Sequence, residues 1–176
     1  MLHQRILFFI VALLLSGCSP MDINQYKNFE PKLDIFKYFE GNTRGWGMFQ
    51  DRSGTLKRQF VVDIKGSVDE SGVLILEEDF VWNDGEKTRR VWRISRTSDA
   101  HYKGNAEDVI GSAIGVSAGN ALHWTYDLNL VVKDKTWKVS FDDWMFLQPD
   151  GVLLNRATMK KFGFRLGEVT IAFKKL

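Results

Sequence analysis

Charged residues stand where the strand pattern calls for apolar ones. Leu74, Leu76, Glu78, Phe80 and Trp82 alternate along Val73–Trp82, and Arg90, Trp92 and Ile94 alternate along Lys87–Thr97. Successive side chains of a strand point to opposite faces, so Glu78 and Arg90 share the faces of Phe80, Trp82 and Trp92. A hairpin through Asp84-Gly85 can keep both apolar sets on one side. The register we expect for it sets Phe80 opposite Arg90 and Glu78 opposite Trp92, leaving Glu78 and Arg90 as diagonal neighbours. Arg58 has the same parity as Phe60, Val62 and Ile64 and adds a second inward cation. An unpaired buried charge is costly, so these groups must pair or meet a ligand. The planar donor fork of arginine suits a carboxylate or phosphate headgroup. A structural ion pair at a barrel rim is the alternative.

A further carboxylate follows the same logic. Trp137, Val139, Phe141, Asp143, Met145 and Leu147 share one face. A hairpin through Pro149-Asp150-Gly151 brings Asn155 or Ala157 opposite Asp143, which is expected to bond Asn155 or backbone. Asp142 and Asp143 point to opposite faces and cannot act on one substrate atom together. His101 and His123 fall on separate strands and read as surface or strand-end residues. The sequence has no Gly-x-Ser-x-Gly, no His-Glu-x-x-His and no glycine-rich phosphate loop with a lysine. No catalytic residue, metal ligand or cofactor is therefore expected, and the chain reads as a non-enzyme.

Composition frames these residues. The 176-residue chain suits one domain with a real core. Its formal charge of +2 gives no support to nucleic-acid binding by a basic surface. With 13 Phe, 6 Trp and 4 Tyr against 3 Pro, it leans towards strands. The single cysteine, Cys18, excludes an intrachain disulfide and a cysteine-based zinc site.

Cys18 has a context of its own. Met1–Arg5 carries one Arg, and Ile6–Leu15 is an unbroken apolar run. The run is too short for a bilayer span, which takes roughly 20 residues, and has the length of a signal-peptide core. It ends in Leu15-Ser16-Gly17-Cys18, which matches the bacterial lipobox, where the thiol receives diacylglycerol before cleavage. Residues 1–17 are thus expected to be a lipoprotein signal peptide. Residues 18–31 are expected to be the lipidated cysteine and a polar tether, and 32–176 one domain. Two acyl chains anchor stably where one is marginal. Ser19 follows the cysteine, and in the usual Gram-negative sorting rule it permits transfer to the outer membrane.

The mature chain reads as strands punctuated by turns. Candidate strands are Arg44–Gln50, Leu56–Lys65, Val73–Trp82, Lys87–Thr97, His101–Ala106, Ala121–Val132, Thr136–Leu147, Val152–Lys161 and Arg165–Lys174. Ser-Gly and Asp-Gly pairs between them supply the positive φ of tight hairpins. No long amphipathic helix intervenes, so a parallel sheet is unexpected, and a closed meander removes exposed edges. Residues 107–120, with Gly111, Gly115 and Gly119, read instead as a close-packed connection, a glycine-rich hairpin or a lid.

Several of these segments together resemble one family. They are Gly45–Gly54 (GlyTrpGlyMetPheGlnAspArgSerGly), Glu78-x-Phe80, Arg90-x-Trp92, Gly119–Ala121 with Trp124 and Tyr126 following, Asp142–Met145 and Asn155-Arg156. The chain is similar here to the DUF3833 family of bacterial lipoproteins, and the resemblance spans nearly the whole mature chain. The family implies no activity. Asp34–Asn42 is also similar to the short helical turn ahead of the first lipocalin strand, although the lipocalin Gly-x-Trp is altered, with Gly45 directly before Trp46.

The expectation is an all-β, antiparallel up-and-down barrel of eight to ten strands, lipocalin-like. It would be tethered to the periplasmic face of an outer membrane and bind a lipid, fatty acid or other amphiphile. Arg58, Glu78, Phe80, Arg90, Trp92, Tyr126 and Asp143 are the candidate ligand contacts. A structural or assembly lipoprotein working through its outer surface is the alternative.

Overall fold

The computed structural model describes residues 21–132 and 135–176. Residues 1–17, where a signal peptide is expected, and Cys18 lie outside the described residues. Ten antiparallel strands form one closed barrel: β1 Gly41–Asp51, β2 Leu56–Val68, β3 Leu74–Trp82, β4 Lys87–Ser98, β5 His101–Asn105, β6 Val109–Ala118, β7 Ala121–Val132, β8 Lys135–Leu147, β9 Leu153–Lys161 and β10 Phe164–Lys175. Each strand pairs with its sequence neighbours, and β1 pairs with β10 from Thr43↔Lys175 to Asp51↔Gly167. Closure leaves no edge to aggregate.

Four hairpins use the same turn. Asp51 bonds Thr55, Asp69 bonds Val73, Trp82 bonds Glu86 and Gln148 bonds Val152, each backbone N–H to backbone carbonyl. A glycine at the third loop position adopts positive φ in every case: Gly54, Gly72, Gly85 and Gly151. This is the three-residue loop with a left-handed glycine that antiparallel strands favour.

The 107–120 segment corrects the sequence reading. It is mostly strand β6, which brings the nine expected strands to ten, rather than a connection or lid. Its glycines each meet a local demand. Gly111 takes positive φ in a bulge against β7, and Asn105 Nδ2 staples that bulge by donating to Gly111 O at 2.7 Å and Ser112 Oγ at 2.9 Å. Gly115 leaves room for Trp124, whose ring a Cβ there would overlap.

One end of the barrel is plugged. Asp34 caps the short helix α1, Ile35–Phe39, by accepting from Phe36 N and Lys37 N, satisfying otherwise orphaned donors. Arg96 pairs with Asp34 at 2.5 Å and lies over the Phe36 ring. Tyr38 Oη lies within 3.1 Å of Gly151 O and Phe173 O, and burial pushes its pKa up to about 12. Phe39 packs edge-on against Phe173. Leu74, Leu76, Ile94 and Leu153 fill the adjoining interior.

The segment expected as a tether is seated on the barrel from Asp22 onward. Residues Ile23–Tyr26 form a 3-10 turn, Tyr26 packs edge-on against Trp144 and Phe146 on the outer wall, and its carbonyl lies against Gly119. Among the described residues no helix is long and apolar enough to cross a membrane.

Candidate functional site

Away from the plug, the inner wall changes character. Glu78, Phe80, Trp82, Arg90, Tyr126 and Phe141 have inward parity, yet each keeps some exposure, whereas their counterparts near α1 are buried. They stand towards the end of the barrel away from α1 (the mouth), where the β3–β4 and β9–β10 turns lie.

Glu78 and Arg90 are direct cross-strand partners, not diagonal neighbours as expected. Asn83, Asp84 and Gly85 form a three-residue loop, and this shifts β4 by two residues relative to the expected register, so that Phe80 faces Thr88 and Leu76 faces Trp92. Although opposed, Glu78 and Arg90 form no ion pair. The Arg90 guanidinium lies 4.4 Å over the Trp92 ring and 5.9 Å from that of Tyr126. Its Nη2 stands 3.0 Å from Asp108 Oδ1. That contact is close but misaligned: Arg90 Nε and Nη2 and Asp108 Oδ1 are buried without a hydrogen-bond partner.

The neighbouring acids respond to enclosure. Burial pushes the Glu78 carboxyl up to about 7, with Arg90 pulling it down and Asp108 pushing it further up. Burial likewise lifts Asp143 to about 7 against the bond from Asn155, with Asp142 raising it and Arg90 lowering it. The Tyr126 hydroxyl is raised by burial first and by the charge of Asp143 next. Arg90 therefore acts electrostatically on Glu78, Tyr126 and Asp143 together.

Asp143 stands opposite Ala157 and accepts from Asn155 Nδ2, which also donates to Trp144 O at 3.2 Å. Phe80 belongs to an aromatic group with Phe60 and Trp82. Arg58 stands apart from Arg90. It has inward parity, but at the mouth, where it pairs with Asp84 at 2.6 Å and Glu86 at 2.8 Å and lies 4.0 Å over Trp82. The structure thus joins Glu78, Arg90, Trp92, Tyr126 and Asp143 around one guanidinium and separates Arg58 from them. Asp108 is the member that the sequence reading missed. It precedes β6 in a turn, where strand parity offers no signal.

The outer wall holds a second polar group. Asp142 accepts from Trp144 Nε1, lies 3.0 Å from His123 Nε2 and pairs with Lys160 at 3.2 Å. Despite partial burial, these partners hold its carboxyl below the usual range. His123 stacks on Trp144. This cluster borders a shallow groove of about 410 Å³ that includes Ile110 and Ile114. A carboxylate so fully engaged is a poor general base. Among the described residues no three His, Cys, Asp or Glu side chains are grouped to hold a metal.

A closed ten-strand up-and-down β-barrel with a helical plug and a polar group on its inner wall is an architecture compatible with small-molecule binding. The chain belongs to the DUF3833 family, a family of unknown function, which it matches over residues 12–175. No curated protein matches it in sequence. Among solved structures it is similar to a DUF3598-family protein of unknown function from Nostoc punctiforme, with a TM-score of 0.62 and 13% identity. The match covers 84% of this chain and 51% of that one, so this chain spans about half its length. It is also similar to the S-type phycobiliprotein lyase of Guillardia theta, with a TM-score of 0.57, 8% identity and coverage of 88% and 96%. At these identities the likeness is one of fold.

Proposed function

We propose that the barrel binds a small amphiphile, a fatty acid or phospholipid, with its anionic head at Arg90 and its tail along the aromatic inner wall. The observation that carries this reading is the Arg90 guanidinium. It is enclosed among Trp92 and Tyr126, its Nε has no acceptor, and its Nη2 meets only the misaligned Asp108 carboxylate. A carboxylate or phosphate supplies the missing acceptors in the geometry that arginine prefers. Glu78 and Asp143, both titrating near neutrality, can donate to the headgroup when protonated instead of repelling it. No catalytic step is assigned to the site. The phycobiliprotein lyase likeness lends the barrel class a relative that works on another protein; none of its residues is carried over here.

The same reading places the protein at a membrane. The lipobox ending at Cys18 supports lipidation there, and Ser19 supports sorting to the periplasmic face of the outer membrane. Native mass spectrometry of the purified protein tests for a co-purified lipid, and titration with a fluorescent fatty acid measures affinity. Absence of binding at high micromolar concentration for both fatty acid and phospholipid overturns the carrier reading in favour of an outer-surface, structural role.

A further inference from the structure

The β9–β10 turn is built against its own residue preferences. Lys161 pairs with Phe164, so Phe162 and Gly163 are the two residues of the loop, with φ of 51° and 81°. Such a turn needs positive φ at both positions and favours Asn-Gly. Phe162 is the non-glycine residue with positive φ among the described residues, a conformation costly for a bulky side chain. Its ring is also 89% exposed. Backbone strain and exposed apolar surface are both unfavourable in water, and at this exposure the fold buries little of the ring in return.

The surroundings indicate what does. Phe164 is 77% exposed beside it, and Val131 at the neighbouring β7–β8 tip is 69% exposed. Lys161 lies 3.5 Å over the Trp137 ring and 5.4 Å from that of Phe162. Lys135 and Arg165 flank the same two hairpins, with Arg165 paired to Glu168 at 3.2 Å. Aromatic tips with interleaved cations fit the interfacial region of a bilayer, where rings sit at headgroup depth and lysine and arginine meet lipid phosphates.

We infer that the mouth rim formed by the β7–β8 and β9–β10 hairpins docks on an anionic membrane surface, with Phe162 as its inserting residue. The rim continues inward through Leu130 and Leu166 to the apolar cluster around Leu128, Val139 and Met159. The docking stands or falls separately from ligand binding.

The test uses residues 22–176, which contain all ten strands, the plug and the Tyr26 seat, so that the N-terminal apolar run cannot itself hold lipid. Phe162→Asn installs the preferred turn residue and is expected to leave the melting temperature unchanged or higher. The same change is expected to weaken co-sedimentation with vesicles of 70% phosphatidylcholine and 30% phosphatidylglycerol by at least about ten-fold. Lys161→Glu should weaken it similarly, and pure phosphatidylcholine should bind the unmodified chain at least about ten-fold less well. Equal vesicle binding by Phe162→Asn, equal binding to neutral vesicles, or no binding by the unmodified chain overturns the proposal. So does concentration-dependent dimerisation that Phe162→Asn abolishes, because the tip would then be a self-association surface. Fatty-acid titration of Phe162→Asn in the absence of vesicles should match the unmodified chain, which distinguishes failure at the rim from failure of the interior site.

Discussion

Glu78 and Arg90 face each other directly across the β3–β4 ladder, yet the guanidinium turns to Asp108 and the rings of Trp92 and Tyr126. Breaking a buried, mutually satisfied ion pair costs roughly 3–5 kcal/mol. The Arg90–Asp108 contact is misaligned and its Asp side chain is 39% exposed, so Arg90→Met should cost about 1 kcal/mol. Fatty-acid affinity should fall at least about ten-fold, the usual loss for a charge-assisted contact. Thermal melts and a fluorescent titration check both. A steep loss of stability that Glu78→Leu restores would identify a structural pair instead.

The two raised carboxyls make stability depend on pH. Unfolded Asp and Glu titrate near 4, whereas Asp143 and Glu78 titrate at about 7 in the folded chain. The folded state therefore binds more protons between those values. The stability contributed by these groups is complete below about pH 4 and is lost as pH rises through about 7. Asp63, Asp69, Asp84, Asp127 and Asp142 shift downward and weaken the fold only in stronger acid. The melting temperature should thus be at least about 5 °C higher at pH 5 than at pH 8.5. Glu78→Gln combined with Asp143→Asn should flatten that slope, and an unchanged slope would count against the enclosure of both groups.

Gly115 and Gly104 both lie under Trp124, and a Cβ at either would overlap its ring. Gly115→Ala should destabilise the barrel by about 1–3 kcal/mol, as overpacking does. The near-ultraviolet circular dichroism of the tryptophans should change with it. Gly54→Ala, at an open turn with positive φ, should cost about 1 kcal/mol through backbone strain alone and leave that spectrum intact.

Cys18→Ser removes the thiol on which lipidation depends. Radiolabelled palmitate should label the unmodified protein in cells and not the variant, whose precursor should remain uncleaved. Unlabelled wild-type protein would refute the anchoring argument.

Strand alternation made most of the barrel legible, because each strand buries one face and the turns carry their glycines in plain view. Residues 107–120 were not legible as β6. A strand that packs beneath Trp124 and bulges at Gly111 is built from small residues and lacks the large apolar alternation that announces a strand. The site was legible in part for the same reason. Parity identified Glu78, Arg90 and Asp143 as inward, but a two-residue shift leaves parity unchanged, and the position of the Asn83–Gly85 loop shifted β4 by that amount and changed who faces whom. Asp108 lies outside any strand. Arg58 has the correct parity, yet its height in the barrel brings it to the acidic β3–β4 turn first.

The Tyr26 seat fixes which way the molecule can stand. Asp22 is four residues from Cys18, a reach of at most about 14 Å. Strands of about 12 residues, tilted some 40° from the axis, set the mouth roughly 30 Å from the plugged end. Tyr26 meets the wall near the β6–β7 turn, at the plugged end. If Cys18 is lipidated as proposed, the plugged end stands against that membrane and the mouth turns away from it. The surface that Phe162 is proposed to enter would then be a second one, across the intervening gap.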